Sequence, residues 1–573
     1  MGKNYTTTFA STILLLVVIV SSCKTIHPDA NFGKTATGNQ AMVVTAHPEA
    51  TEVGLKVLAE GGNAVDAMVA VHFALAVVYP SAGNIGGGGF LVYRDTASNA
   101  YSLDFREKAP FLAAEDMYLD EKGTVIDGLS LDGHLAAGVP GSVDGMLAAH
   151  KRFGALPLDQ LIDPAIRLAK KGFKITAQQA DNYNRMREGF IKNNRDSLNI
   201  PLVKKRPWSA GDKLKQRDLM ATLQRIKQDG RAGFYEGETA RLIVEEMEAG
   251  GGIISLEDLR QYKSVWREPV IGGFKGIKVI SMGPPSSGGI ALMQLLGMAS
   301  SFDLSRHGHN TAQTVHLMTE MEKRVYADRA VHLGDPDFWE VPQDELLDRD
   351  YLQQRVGEIS LHSATPSEEI QAVDLPEFKE SEQTTHYSIV DPHGAAVSVT
   401  ATINTAYGSK TFVTGAGFLL NNEMDDFSSK PGVPNRYGLL GGAANAIAPE
   451  KRMLSAMTPT ILEKSGKLFM VVGTPGGSTI ITSVFQTILN VVEHQKSMSE
   501  AVAAKRLHHQ WKPDVIQMES GALDRDVQQA LEEMGHKLLI RGNIGRVDAI
   551  LVKPDGSYEG AADPRGDDWS GGF

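Results

Sequence analysis

Residues 64–79 are apolar at nearly every position, so a helix there has no polar face to turn toward water and must be buried. Asn63, with Asp66 three residues on, marks its start after the Gly61-Gly62 break. Residues 83–89 form a glycine-rich loop, and 90–94 and 101–105 read as the strands of a hairpin. From 140 to 380 the pattern is mostly helical and rich in charge, as in 238–247 and 311–330. From about residue 384 the texture changes. Residues 386–390 and 395–402 read as strands joined by the turn Asp391-Pro392-His393-Gly394. Residues 458–462 and 467–472 read as a second hairpin around Ser465-Gly466, and Thr474-Pro475-Gly476-Gly477-Ser478 opens an apolar helix through about Val492. No fixed-period repeat is present. A strand-rich segment flanked by helices predicts an α+β fold of layered sheets covered by helices.

The N-terminus has its own pattern. An apolar run, residues 9–20, follows Lys3 and is too short to span a bilayer, which fits a signal-peptide core. Val20-Ser21-Ser22 before the single cysteine, Cys23, resembles a bacterial lipobox. That resemblance implies a signal peptide over 1–22, a lipidated Cys23 and a tether over 23–39. The protein would then be exported and lipid-anchored on the periplasmic side of the cell envelope, attached to the membrane without spanning it. The alternative is a plain secretory signal.

Composition narrows the classes. The chain has 573 residues, 42% of them hydrophobic and 22% charged, which is ordinary for a globular protein with a large core. Lys and Arg number 57 against 69 Asp and Glu, a net charge of −12 that argues against nucleic acid as a partner. Gly86 to Gly89 lack the Gly-Lys-Ser/Thr of a phosphate-binding loop. The 16 histidines show no ligand spacing, and the adjacent pair His508-His509 suits a metal poorly, so neither metal nor organic cofactor is expected. Glu322-Lys323-Arg324 and Asp328-Arg329 share one predicted helix and read as a salt-bridged face.

The chemistry concentrates in Gln383-Thr384-Thr385-His386-Tyr387-Ser388. Together with Asp104-Phe105-Arg106-Glu107, Asn421-Asn422-Glu423-Met424-Asp425-Asp426-Phe427, Leu454-Ser455 and Pro475-Gly476-Gly477-Ser478, it closely resembles the γ-glutamyltranspeptidases, members of the N-terminal-nucleophile hydrolases. The resemblance runs from about Gln40 to Phe573 and rests on several motifs in order. It implies a four-layer αββα sandwich built from two chains cut from one precursor. Residues 40–383 would form the large subunit and 384–573 the small catalytic one, paired as a heterodimer.

By that resemblance Thr384 is the nucleophile, released as an N-terminal residue when the chain cuts its own Gln383–Thr384 bond. The chemistry is coherent. A threonine hydroxyl needs a base, an amide nitrogen is none, and a free α-amine titrates near pH 7.7–8.0. Thr402 would hydrogen-bond the nucleophile. Gly476 and Gly477 would supply oxyanion-binding N–H groups at a helix start. Arg106 and Ser455 would bind the donor α-carboxylate, and Asp426, Asn404 and Glu423 its α-amine. Residues 431–438 resemble a lid loop with Tyr437 as gate. Donors would be glutathione and glutamine-like amides, and acceptors would be water or the amine of an amino acid or dipeptide.

One departure is Ala456, where the family often has a second serine. This implies carboxylate binding weaker by about 1–2 kcal/mol. Two alternatives are a cephalosporin or glutaryl acylase of the same fold, which needs no amine pocket, and a catalytically inactive binding lipoprotein.

Overall fold

The computed structural model describes residues 26, 27, 29–370, 384–430, 433, 435, 436, 439 and 441–573. The signal segment, Cys23, Gln383 and Tyr437 lie outside the described residues.

Two antiparallel sheets form the centre. The first has eight strands in the order Asn31–Gly33, Trp569–Gly572, Met42–Thr45, Thr385–Val390, Ala396–Thr402, Gly88–Arg94, Ala100–Asp104 and Val265–Arg267. The second has seven: Thr35–Gly38, Tyr558–Ala562, Asp548–Val552, Lys467–Gly473, Thr460–Lys464, Ile277–Ser281 and Val270–Phe274. Each sheet mixes strands from before and after residue 384, so the two halves share one fold.

Three apolar clusters define the layers. Met42, Val44, Phe90 and Val92 of the first sheet meet Ile280, Ile461, Val471 and Ile550 of the second in a core between the sheets. Outside the first sheet, the helix Ala64–Val78 is buried along its whole length, as its unbroken apolar pattern requires. Asn63 and Asp66 close its start as a capping box, which satisfies backbone N–H groups that the first turn leaves unpaired. Outside the second sheet pack Gly288–Ala299, Ala312–His332 and Thr479–Val492. The order helix, sheet, sheet, helix is the expected αββα sandwich.

The structure corrects three sequence readings. Strands Val265–Arg267, Val270–Phe274 and Ile277–Ser281 lie in the stretch read as helical. Strands Asn31–Gly33 and Thr35–Gly38 pair at the sheet edges inside the expected tether, so the folded unit begins before Gln40. The third concerns the helix Ala312–His332, read as a salt-bridged face: Glu320 does pair along the helix with Lys323 and Arg324, but the charges are buried and others find partners on neighbouring elements. Residues from Thr314 to Arg329 are continuously buried. Glu322 accepts the His509 N–H at 2.9 Å, Arg324 pairs with Glu320 at 2.9 Å and Asp328 with Arg355 at 3.1 Å. Buried charges are tolerated where they are paired or hydrogen-bonded, as Glu322, Arg324 and Asp328 are.

Among the described residues no helix is long and apolar enough to cross a membrane.

Candidate active site

Thr384 immediately precedes the central strand Thr385–Val390 of the first sheet. That strand pairs with Ala396–Thr402 in a register that sets Thr385 against Ala401, so one step further Thr384 faces Thr402. Both threonines are buried, and both line a recess of about 320 Å³. The recess also takes in Arg106, Arg329, Asn404, Glu423, Asp426, Ser455, Ala456 and Gly477. Thr384 borders a second recess too, of about 490 Å³, with Gln178, Gly476, Asn543, Arg546 and Arg565. The threonine therefore stands where two cavities meet.

The Pro475-Gly476-Gly477 bend separates them. Gly476 has φ +142° and Gly477 φ +55°, conformations that favour glycine. A Cβ at Gly476 would come within 2.5 Å of Thr479 Oγ1. The bend leads into the helix Thr479–Val492, and among the described residues neither glycine N–H has an acceptor. Two open N–H groups at the positive end of a helix suit a developing oxyanion.

Arg106 follows the strand Ala100–Asp104 and is buried among acids. Its Nη1 lies 2.7 Å from Glu423 and 3.6 Å from Glu107, and its Nη2 pairs with Asp426. Its Nε donates to the Met453 carbonyl at 3.3 Å. Burial alone would pull the guanidinium down, but the three carboxylates hold it above the ordinary arginine range. Burial raises all three acids, Glu107 to about 8, with Arg106 opposing the shift. Sequence reasoning assigned Arg106 to the carboxylate end of the donor and Glu423 and Asp426 to the amine end. The structure joins them in one ion cluster.

Asn404 follows Thr402 with a left-handed φ of +69°, and its Nδ2 donates to the Asn422 carbonyl at 2.9 Å. The expected bond between the Thr402 and Thr384 hydroxyls is not formed. Thr402 Oγ1 accepts the Asn404 N–H at 2.7 Å, because the chain turns sharply back at the strand end. Ser455 Oγ accepts the Met457 N–H at 3.1 Å, and the Ser455 carbonyl takes the Ser287 N–H at 2.8 Å and the Ser287 hydroxyl at 2.6 Å. The parallel bridge Ser286–Ser455 thus ties the start of Gly288–Ala299 to the recess.

Sequence reasoning missed Arg329 and Glu107. Ser286-Ser287-Gly288-Gly289 ahead of an apolar helix was a usable signal, since it parallels the Gly476-Gly477-Ser478 start. Glu107 stood unassigned beside Arg106.

His316, Glu320 and His536 form a buried cluster with metal-ligand atoms close together. Its Glu320 is already held by Arg324 and by Lys323 at 3.4 Å, and His316 hydrogen-bonds His536 at 2.8 Å. Lys323 and Arg324 thus already neutralise the one carboxylate of the cluster.

A threonine at the start of a central strand of an αββα sandwich, beside open helix-start amides, defines an N-terminal-nucleophile hydrolase fold. A solved cephalosporin acylase from Bacillus halodurans has this fold, with a TM-score of 0.83 at 24% identity, covering 94% of this chain and 97% of that one. The family model "Gamma-glutamyltranspeptidase" matches residues 50–573. The "Glutathione hydrolase proenzyme" of Escherichia coli is 45% identical over 93% of this chain and 92% of its own length, and that of Pseudomonas aeruginosa 47% over 93% and 94%. The chain belongs to the γ-glutamyltranspeptidase family.

Proposed function

We propose that this chain is a self-processing γ-glutamyltransferase and glutathione hydrolase, with Thr384 as nucleophile. The observation that carries the reading is the placement of Thr384 in one recess with both acidic and cationic side chains. That recess matches the α-amine and α-carboxylate of a γ-glutamyl group.

The first reaction is on the chain itself. Thr384 Oγ attacks the Gln383 carbonyl carbon, the Gln383–Thr384 C–N bond breaks, and the resulting ester is opened by water. The products are a large chain ending at Gln383 and a small one, 384–573, which stay paired through the shared sheets. The new α-amine of Thr384 is the base for the second reaction. It takes the Oγ proton as Oγ attacks the donor γ-carbonyl, while the Gly476 and Gly477 N–H groups receive the oxyanion. Collapse breaks the γ-amide C–N bond, the proton passes to the leaving amine, and a γ-glutamyl ester on Thr384 remains. Water or the amine of an amino acid or dipeptide then takes the acyl group. The second recess, on the far side of the Gly476–Gly477 bend, is the route for the leaving group and the acceptor.

The acylase reading shares the fold but needs no amine pocket, since a glutaryl group has no amine, so the presence of Asp426 and Asn404 in the recess counts against it. The 45–47% identity to proenzymes named glutathione hydrolases favours the γ-glutamyl reading as well. The location belongs to the same proposal. Residues 1–22 direct export, Cys23 carries the lipid anchor, and Tyr437 gates the recess. The run 9–20, the residues before Cys23 and the loop sequence 431–438 support these assignments.

Intact mass spectrometry of wild type and Thr384→Ala tests the core of the reading. Wild type should give two chains split before Thr384, and the variant a single uncut chain. A split elsewhere, or one that survives the substitution, overturns it. Comparing γ-glutamyl and glutaryl anilides tests the donor, with faster glutaryl turnover pointing to an acylase.

A further inference from the structure

Arg329 lies on the helix Ala312–His332 and lines the Thr384 recess. Seven arginines are buried among the described residues. Six have a carboxylate partner, as in Arg94 with Glu463 at 2.6 Å, Arg355 with Asp328 at 3.1 Å and Arg506 with Asp563 at 2.8 Å. Arg329 is the exception, with no carboxylate within ion-pair distance. Tyr326 and, less strongly, Asp426 act on it electrostatically, and the ion pair of Asp426 is with Arg106.

A buried cation without a counter-ion is costly, and proteins avoid it unless something completes the site. Arg329 is anchored along one edge only. Its Nε donates to Ser287 Oγ at 2.9 Å, and Ser287 Oγ donates to the Ser455 carbonyl at 2.6 Å. That chain fixes the guanidinium plane relative to Ser455. Its Nη1 and Nη2 groups donate to no described residue, so N–H donors remain for a ligand. They share a wall with Ser455 and with Ala456, whose methyl side chain offers no hydrogen bond.

We infer that Arg329 is a second cation of the donor site, binding the α-carboxylate of the γ-glutamyl donor and supplying the anchoring that Ala456 cannot. Arg106, crowded by Glu107, Glu423 and Asp426, also holds the acids that receive the α-amine, so the two arginines share the carboxylate. The inference rests on the γ-glutamyl reading above and adds a residue to it.

The test uses the mature enzyme and two donors: γ-glutamyl p-nitroanilide, and 4-aminobutyryl p-nitroanilide, which keeps the amine but lacks the α-carboxylate. Arg329→Gln should raise KM for the first donor by roughly 10–100-fold, the worth of a hydrogen bond to a charged group. It should leave kcat/KM for the second within about threefold, and Arg329→Lys should fall between. Equal losses on both donors would make Arg329 a structural support of Ser287 and overturn the inference, as would an unchanged KM for the first donor. If Arg329→Gln does not mature, Arg329→Lys with and without Ala456→Ser decides. A larger rescue by the added hydroxyl in the Lys background than in wild type supports the inference, and equal effects overturn it. Failure of the γ-glutamyl reading itself is separately visible, because wild type would then not turn over the first donor.

Discussion

On one side of the Thr384 recess, Arg106 is packed against Glu107, Glu423 and Asp426; on the other, Arg329 touches Ser287 and meets no carboxylate. Both arginines are buried to the same degree, yet their surroundings differ. Burial pulls Arg329 down to about 10, while the acids hold Arg106 above its usual range. The acid-rich wall has more carboxylates than cations, and the arginine wall has a cation and hydroxyls. A recess polarised in this way fits a ligand with an ammonium at one end and a carboxylate at the other, the head group of an amino acid. Neither wall alone would distinguish such a ligand from a simple acid or amine.

Removing a charge from the acid wall should disturb that contrast most. Asp426→Asn keeps the volume and deletes the charge that complements the donor amine. We expect KM for γ-glutamyl p-nitroanilide to rise about 100-fold, in line with losing a charge-assisted hydrogen bond in a buried site. Glutaryl p-nitroanilide has no amine and should lose little, so the ratio of the two donors narrows. If both donors decline in parallel, the acid wall is structural and the polarised recess is the wrong description.

A subtler change tests how the acid wall is protonated. Burial pushes Glu107 from the ordinary carboxylate range to about 8, and its oxygens have no hydrogen-bond partner. Between about 4.5 and 8 the folded protein therefore holds a proton at Glu107 that the unfolded chain releases. Stability through this group is full below the lower value and falls as pH rises toward the upper one. Glu107→Gln keeps the neutral shape at every pH. Urea unfolding across pH 5 to 8 should show a shallower decline for the variant than for wild type. Parallel curves would mean that Glu107 is ionised in the fold and that the acid wall carries one more negative charge.

Much of this arrangement was readable before the fold was known, for identifiable reasons. The helix Ala64–Val78 announced itself because burial on all sides demands an unbroken apolar pattern. Thr384, Gly476-Gly477 and Asp426 stood in local motifs whose order carried the family resemblance. The strands at 265–281 were not readable, because Val270-Ile271-Gly272-Gly273-Phe274 is short, glycine-broken and set among strong helical patterns. Arg329 was hidden for a different reason. On paper Asp328-Arg329 looks like a surface pair, and only tertiary packing shows that Asp328 turns to Arg355 while Arg329 turns to the recess. A pairwise charge rule assumes a solvated helix, and Ala312–His332 is buried through most of its length.

The smallest expected effect lies on the arginine wall, at Ala456. The side chain lines the recess between Ser455 and Met457, and it offers no hydrogen bond. Ala456→Ser adds one hydroxyl without changing charge. If Arg329 already holds the donor carboxylate, the new hydroxyl is a supplementary donor worth about 0.5–1.5 kcal/mol at most. KM for γ-glutamyl p-nitroanilide should then fall by roughly twofold to tenfold, with kcat little changed, because ground state and transition state gain alike. For the decarboxylated donor the substitution should do nothing. A gain of a hundredfold or more would mean that the carboxylate was barely held before the hydroxyl arrived. That result would remove the arginine wall from the comparison and leave the acid wall as the only part of the recess that recognises the donor.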